Sequence, residues 1–212
     1  MAHPFRPLLF YSSYVVISAG IAVMLHLDAQ LITVSRSEIL SRAREYTEVR
    51  WLPIDQNLRA PCIAGYRSDF QLGLQQVGEA YRWGGNDTPA DFVAKLTKGL
   101  GAGAHALHHE DPRRPCTTGI DCSGFVCNVW KHNHVQTALF SGFTAELPDF
   151  SRMDVGDAFL KQGTHVILFV GLREDGNPRI FEASGKRVHE VKGADWDYVQ
   201  DYVPVRYQHI VH

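Results

Sequence analysis

The chain has 212 residues, of which 45% are hydrophobic and 21% charged, as expected for one folded domain with a sizeable core and a processed end. The formal net charge is −2 and no run of Lys or Arg stands out, which speaks against a nucleic-acid partner and against a polybasic membrane patch.

The first thirty residues differ from the rest. MAHPFR carries one firm positive charge, LLFYSSYVVISAGIAVML (8–25) carries none, and HLDAQ restores polarity with Ala29 as a cleavage position. A basic start, an apolar stretch and a small residue predict a secretory signal. Eighteen uncharged residues also approach the length of an uncleaved membrane anchor. A buried segment of the fold is the competing reading, since Ser12, Ser13 and Ser18 dilute the apolar run. Residues 1–29 are therefore read as a signal peptide or membrane anchor, and 30–212 as the functional domain, exported to the periplasm or cell envelope.

Ser35 and Glu38 form a capping-box pattern ahead of Ile39, Ala43 and Tyr46, which recur at helical spacing until Pro53. Residues 52–69 hold two prolines and read as a loop. A second helix is predicted over 69–80, with Phe70, Leu74 and Val77 on one face. GEAYRWGGNDTP (78–89) turns sharply at its glycines, and ADFVAKLTKG is a short helix stopped by Gly99. Residues 99–119 read as a long irregular loop of the functional kind. Cys122 to Lys131 is the next helix, with Phe125, Val126 and Val129 apolar. AFL, HVILFVG and RIFEA are strands, the last two joined through REDGNP. YVPVRY is an edge strand, because Pro204 lacks a donor. Helices followed by antiparallel strands predict an α+β fold.

There are four cysteines. Cys62 and Cys116 are the pair free for a disulfide in an oxidising compartment, although their separation in sequence says nothing about distance. The spacings do not suit zinc. Cys122, behind Ile-Asp and ahead of Ser-Gly-Phe-Val, stands where loop becomes helix. Unpaired N–H groups and the positive end of the dipole favour a thiolate there, with Asp121 as cap and Gly124 leaving little bulk near the sulfur. Cys127 is expected to be a buried small hydrophobe.

A thiol nucleophile needs an imidazole. Most histidines, among them His105, His132 and His134, sit in polar, irregular sequence, whereas His165 opens the apolar strand VILFV. Glu182, between Phe181 and Ala183, is the candidate to orient that imidazole. The competing readings are a core thiol, a core histidine and an exposed strand carboxylate.

GEAYRWGG, GIDCSGFV, GDAFL…THVILFVG and IFEASG, in that order, resemble the NlpC/P60 family of papain-like cysteine peptidases over roughly residues 70–190. The resemblance implies a papain-like α+β domain with N-terminal helices packed on an antiparallel sheet and the catalytic cysteine at a helix N-terminus. It implies Cys122 as nucleophile, His165 as base and Tyr81, from the family's Y-x-x-G-G segment, as a residue lining the site and helping hold the oxyanion. The third catalytic position is commonly histidine in that family and is Glu182 here. The N-terminal helix and the 99–119 loop lie outside the minimal pattern. Cysteine ahead of histidine argues against the circularly permuted relatives, some of which act on acyl lipids. The implied activity is hydrolysis of amide bonds in bacterial cell-wall stem peptides, typically between D-glutamate and a diamino acid. Neither a metal nor an organic cofactor is implied. The expected partner is a cell-wall peptide, with membrane association only through the N-terminus. His108, His109, Arg113 and Arg114 in the loop are candidates to meet substrate carboxylates. The alternatives are an acyltransferase or amidase acting on another amide, ester or lipid, and a catalytically silent binding domain of the same fold.

Overall fold

A computed structural model of the chain describes residues 32–60, 66, 68–104 and 116–211. The expectations for residues 1–29, and those for His108, His109, Arg113 and Arg114, fall outside these residues. From Thr33 onward the described residues form one unit.

Strand β1 (Val34–Ser35) leads into helix α1 (Arg36–Glu48). Ser35 caps the helix, its Oγ accepting from the Glu38 N–H at 3.2 Å, and Ile39, Ala43 and Tyr46 form the buried stripe. The helix stops at Glu48, ahead of Pro53, because the chain turns extended into β2 (Arg50–Trp51).

The helix expected over 69–80 does not form. Residues 72–73 make a turn, and β3 (Gln76–Val77) pairs antiparallel with β2. Gly73 sits at φ +71°, a left-handed conformation that interrupts helical bonding. Leu74 and Val77 are 54% and 37% exposed, so the apolar spacing there marks no buried face. Helix α2 (Pro89–Thr97) is capped by Thr88 and followed by Gly99 in the left-handed region, as its sequence predicts. The 99–119 segment is less irregular than expected at its ends: β4 (Gly101–Ala102) and β5 (Thr117–Thr118) pair in parallel and tie it closed. Helix α3 (Cys122–Val129) follows.

The remaining strands are β6 (Thr144–Glu146), β7 (Ala158–Lys161), β8 (His165–Leu172), β9 (Pro178–Ser184), β10 (Arg187–Glu190), β11 (Val203–Tyr207) and β12 (Ile210–Val211). Six of them form one antiparallel sheet in the order β10-β9-β8-β7-β11-β6, while β12 pairs in parallel with β1. The helices and this sheet together make an α+β fold.

Strand β8 is an uninterrupted apolar run because both of its faces are covered. Val166, Leu168 and Val170 join the cluster formed with α1 and α3, whereas Ile167 and Phe169 pack with Phe159, Ile180 and Val199 on the other side. Strand β11 is not an edge strand as predicted, since β6 lies outside it. Pro204 is tolerated because it sits where β6 runs out; its carbonyl still accepts from the Leu147 N–H at 2.8 Å. Asp157, fully buried, ties the start of α1 to β11 through Arg36 and Arg206. Among the described residues, no helix is long and apolar enough to cross a membrane.

Candidate active site

Cys122 is the first residue of α3 and is 8% exposed. Asp121 caps the helix and spends its carboxylate on three donors. Oδ1 accepts from the Gly124 N–H at 2.6 Å and from Ser123 Oγ at 2.9 Å, and Oδ2 accepts from the Gly84 N–H at 2.9 Å. The cap thus also clamps the RWGG turn to the helix start.

Glycine at 124 is required by that clamp rather than by access to sulfur. A Cβ there would lie 2.4 Å from the Gly85 carbonyl oxygen, and a Cβ on Gly85 would lie 2.3 Å from the Gly119 carbonyl oxygen. Two backbone segments cross at a distance only glycine permits. Alongside, the Ile120 N–H donates to Ala80 and the Arg82 N–H to Ile120. This pairing brings Tyr81 next to the residues that lead into Cys122. Burial, then the charges of Cys122 and Asp121, push the Tyr81 phenol well above its usual range, which keeps it a neutral donor.

His165 is the first residue of β8. By the alternation of the strands it shares a face with Ile167, as Glu182 on β9 does with Ile180. Its Nε2–H donates to Glu182 Oε2 at 2.9 Å. Cys122 lies close enough to the same imidazole to act on its protonation. Burial pulls the His165 pKa down, but the hydrogen bonds and charges of Cys122 and Glu182 outweigh it and hold the imidazole at about 9. At neutral pH His165 is therefore an imidazolium between two acidic groups.

Glu182 is buried, and burial alone would raise its pKa; bonds from His165, Ser184 and Tyr198 reverse that and lower it. Ser184 Oγ donates to Oε1 at 2.6 Å and Tyr198 OH at 3.1 Å. The carboxylate is thus a fully bonded anion rather than an exposed strand residue. Burial pushes the Cys127 thiol up to about 12.

The structure brings together the four residues singled out in the sequence: His165 and Glu182 are hydrogen-bonded, Cys122 acts on the same imidazole, and Tyr81 lies beside Cys122. Several neighbours escaped the sequence reading. Ser184, two residues after Glu182, shares its face by strand periodicity and was legible in principle. Tyr198 on Glu182, and Tyr202 edge-on to His165 at 6.4 Å, arrive from a distant segment with no local signal. His134 reaches Ser123 Oγ at 3.1 Å, behind the Asp121 cap. Cys116 is disulfide-bonded; Cys122 and Cys127 are free, and Cys62 lies outside the described residues. Among the described residues, no group of three or more His, Cys, Asp or Glu is placed to hold a metal ion.

No family model matches this chain, and no curated protein and no solved structure is significantly similar to it.

Proposed function

We propose that this chain is a papain-like cysteine hydrolase of the NlpC/P60 type that cleaves amide bonds in peptidoglycan stem peptides. The observation that carries the reading is His165 hydrogen-bonded to the buried Glu182 while Cys122, at the start of α3, raises the pKa of the same imidazole. A histidine held by a desolvated carboxylate beside a helix-start cysteine has the arrangement that activates a thiol for acyl transfer. The order and wording of the GEAYRWGG, GIDCSGFV, THVILFVG and IFEASG motifs support the family and its wall-peptide substrates.

In this reading the Cys122 thiolate attacks the amide carbon while His165 gives its proton to the leaving amine. Glu182 keeps the imidazolium oriented and compensated through both half-reactions. The Cys122 backbone N–H and the Tyr81 hydroxyl face the developing oxyanion. Water, deprotonated by His165, then resolves the thioester and returns the sulfur as thiolate. The Cys116 disulfide supports an exported protein, since such bonds persist in oxidising compartments.

The test is digestion of purified peptidoglycan fragments with mass analysis of the released peptides. Wild type is expected to release peptides cut at one amide of the stem; Cys122→Ala is expected to release none. His165→Ala is expected to stay folded and lose turnover by roughly two to four orders of magnitude. Acyl transfer to an ester or lipid acceptor with no stem cleavage would overturn the substrate assignment, and full activity of H165A would overturn the mechanism.

A further inference from the structure

The carboxylate that holds His165 is completed by a segment outside the family resemblance, which ends near residue 190. After β10 the chain crosses the face of the sheet opposite α1 and α3 and forms a 3₁₀ turn, Asp197–Val199. Ala194 and Val199 are buried there with Phe159, Ile167, Phe169 and Ile180. The turn between β8 and β9 ties the segment down: Arg173 donates to the Ala194 carbonyl, and Trp196 Nε1 donates to the Gly176 carbonyl at 3.2 Å. Tyr198 is fixed by this anchoring, its N–H donating to Asp195 Oδ1 at 3.0 Å and its hydroxyl to Glu182 Oε1 at 3.1 Å. A ring that is 45% exposed adds little core packing; the hydroxyl, turned onto a buried carboxylate, is the part that acts.

The other groups around Glu182 leave Oε1 one donor short. His165 on β8 takes Oε2 at 2.9 Å, and Ser184 on β9 donates to Oε1 at 2.6 Å. His189, opposite Glu182 on β10, has Nε2 4.0 Å from Oε1, beyond hydrogen-bond reach. Cys122 on α3 acts on His165, and Tyr202 stands edge-on to that ring at 6.4 Å. An ionised carboxylate oxygen accepts two bonds, and Glu182, 3% exposed, has little water to draw on. Tyr198 supplies the second donor to Oε1. Burial, then the charge of Glu182, push the Tyr198 phenol up to about 12, so it stays a neutral donor.

We propose that Tyr198 is a positioning residue of this site: by donating to Oε1 it keeps Glu182 ionised and its other oxygen aimed at His165. The effect on turnover rests on the hydrolase reading above; the effect on the carboxylate stands without it. A buried anion needs donors that a neutral imidazole does not, so the 191–202 segment lets this chain use a carboxylate where the resembling family commonly has histidine. Burial raises Glu182, but the bonds from His165, Ser184 and Tyr198 outweigh it and hold the group below the usual carboxylate range. Such a group stabilises the fold at neutral pH, and that stability is lost as pH falls through its folded-state range. Without the hydroxyl, Glu182 moves back toward its ordinary value and part of this stability goes.

Tyr198→Phe removes the hydroxyl and keeps the ring. Melting against pH is measured for wild type, Y198F, E182Q and the double variant. Y198F is expected to melt below wild type at neutral pH, by a gap that narrows as pH is taken toward and below the ordinary glutamate value of about 4.3. In the E182Q background the same change is expected to give a gap that does not vary with pH. On wall fragments, Y198F is expected to lower kcat about three- to tenfold with KM nearly unchanged, and to move the acidic limb of kcat/KM up by about half a pH unit or more. A gap in the wild-type background that is the same at every pH, or one that varies equally in the E182Q background, would reduce Tyr198 to packing and overturn the proposal. A pH-dependent gap with unchanged kcat and unchanged acidic limb would overturn the positioning role. If wild type cleaves no wall fragment yet the gap varies with pH and loses that variation in E182Q, the hydrolase reading fails and the hold of Tyr198 on Glu182 stands.

Discussion

Replacing Glu182 by Gln removes a charge from the site and almost no volume. Glu182 Oε2 holds His165, while Oε1 accepts from Ser184 and Tyr198. A glutamine oxygen turned toward His165 keeps the first bond, and its amide N–H groups donate to two hydroxyls that rotate to accept. What is lost is the negative charge. His165 is held at about 9 instead of 6.5 even though burial, the largest single influence, lowers it; Cys122 and Glu182 supply the rise. At about 1.4 kcal/mol per pH unit, the site favours the imidazolium by about 3 kcal/mol relative to water. A hydrogen bond to a charged group is worth about 1.5–3 kcal/mol, so losing the carboxylate removes a substantial part of the rise, although Cys122 supplies the larger part. A raised pKa means that His165 keeps its proton to higher pH, and removing part of the rise makes it lose the proton sooner. The alkaline limb of kcat/KM is expected to move from near 9 toward lower pH, by about one pH unit or more in E182Q. Turnover at neutral pH should fall about tenfold to a hundredfold, and further in E182A, which leaves the ring free to rotate. Rate against pH for the three proteins, with ring proton titration of His165 by NMR and a melting curve to verify the fold, provides the measurement. An alkaline limb that stays in place in both variants would refute the reasoning and leave a Cys–His dyad.

Limited alkylation followed by peptide mapping is expected to label Cys122 far ahead of Cys127, whose thiol burial pushes up to about 12; preferential labelling of Cys127 would contradict the assignment. Gly124→Ala should destabilise the fold by about 1–3 kcal/mol in denaturant unfolding, because the clash with the Gly85 carbonyl outweighs the better helix propensity of alanine. Glu79 is fully buried with no hydrogen-bond partner for either carboxylate oxygen, and burial, then repulsion from Asp87 and Asp91, raises its pKa well above the usual carboxylate range. The folded state thus binds a proton that the unfolded state gives up, so wild type should lose stability relative to E79Q as pH climbs above the ordinary glutamate range, by at most about 1.4 kcal/mol per pH unit. Melting curves of the two proteins that run parallel across pH would show Glu79 ionising normally.

Local chemistry made much of this protein legible in its residues alone. The Ser35 cap and its buried stripe, the stop at Gly99, the helix opening at Cys122 and the hairpin of two apolar strands all follow from short-range rules: a capping oxygen, a left-handed glycine, an alternating face. The same rules singled out Cys122 where a loop becomes a helix, and His165 and Glu182 as polar residues in apolar strands. They misled where a distant partner decides the outcome. Phe70, Leu74 and Val77 have helical spacing, but Gly73 turns the chain and β2 claims Gln76–Val77 as a strand. Pro204 marks an edge only if nothing pairs outside it, and β6 does. The role of Gly124 was invisible for the same reason, since the carbonyl it must admit belongs to Gly85. The bonds that fix the charge of Glu182 come from Ser184, Tyr198 and His165, and that of His165 from a cysteine on a helix packed against the sheet. A sequence carries the identity of such groups; their protonation depends on desolvation and on partners within a few ångströms, and only the tertiary fold brings those together.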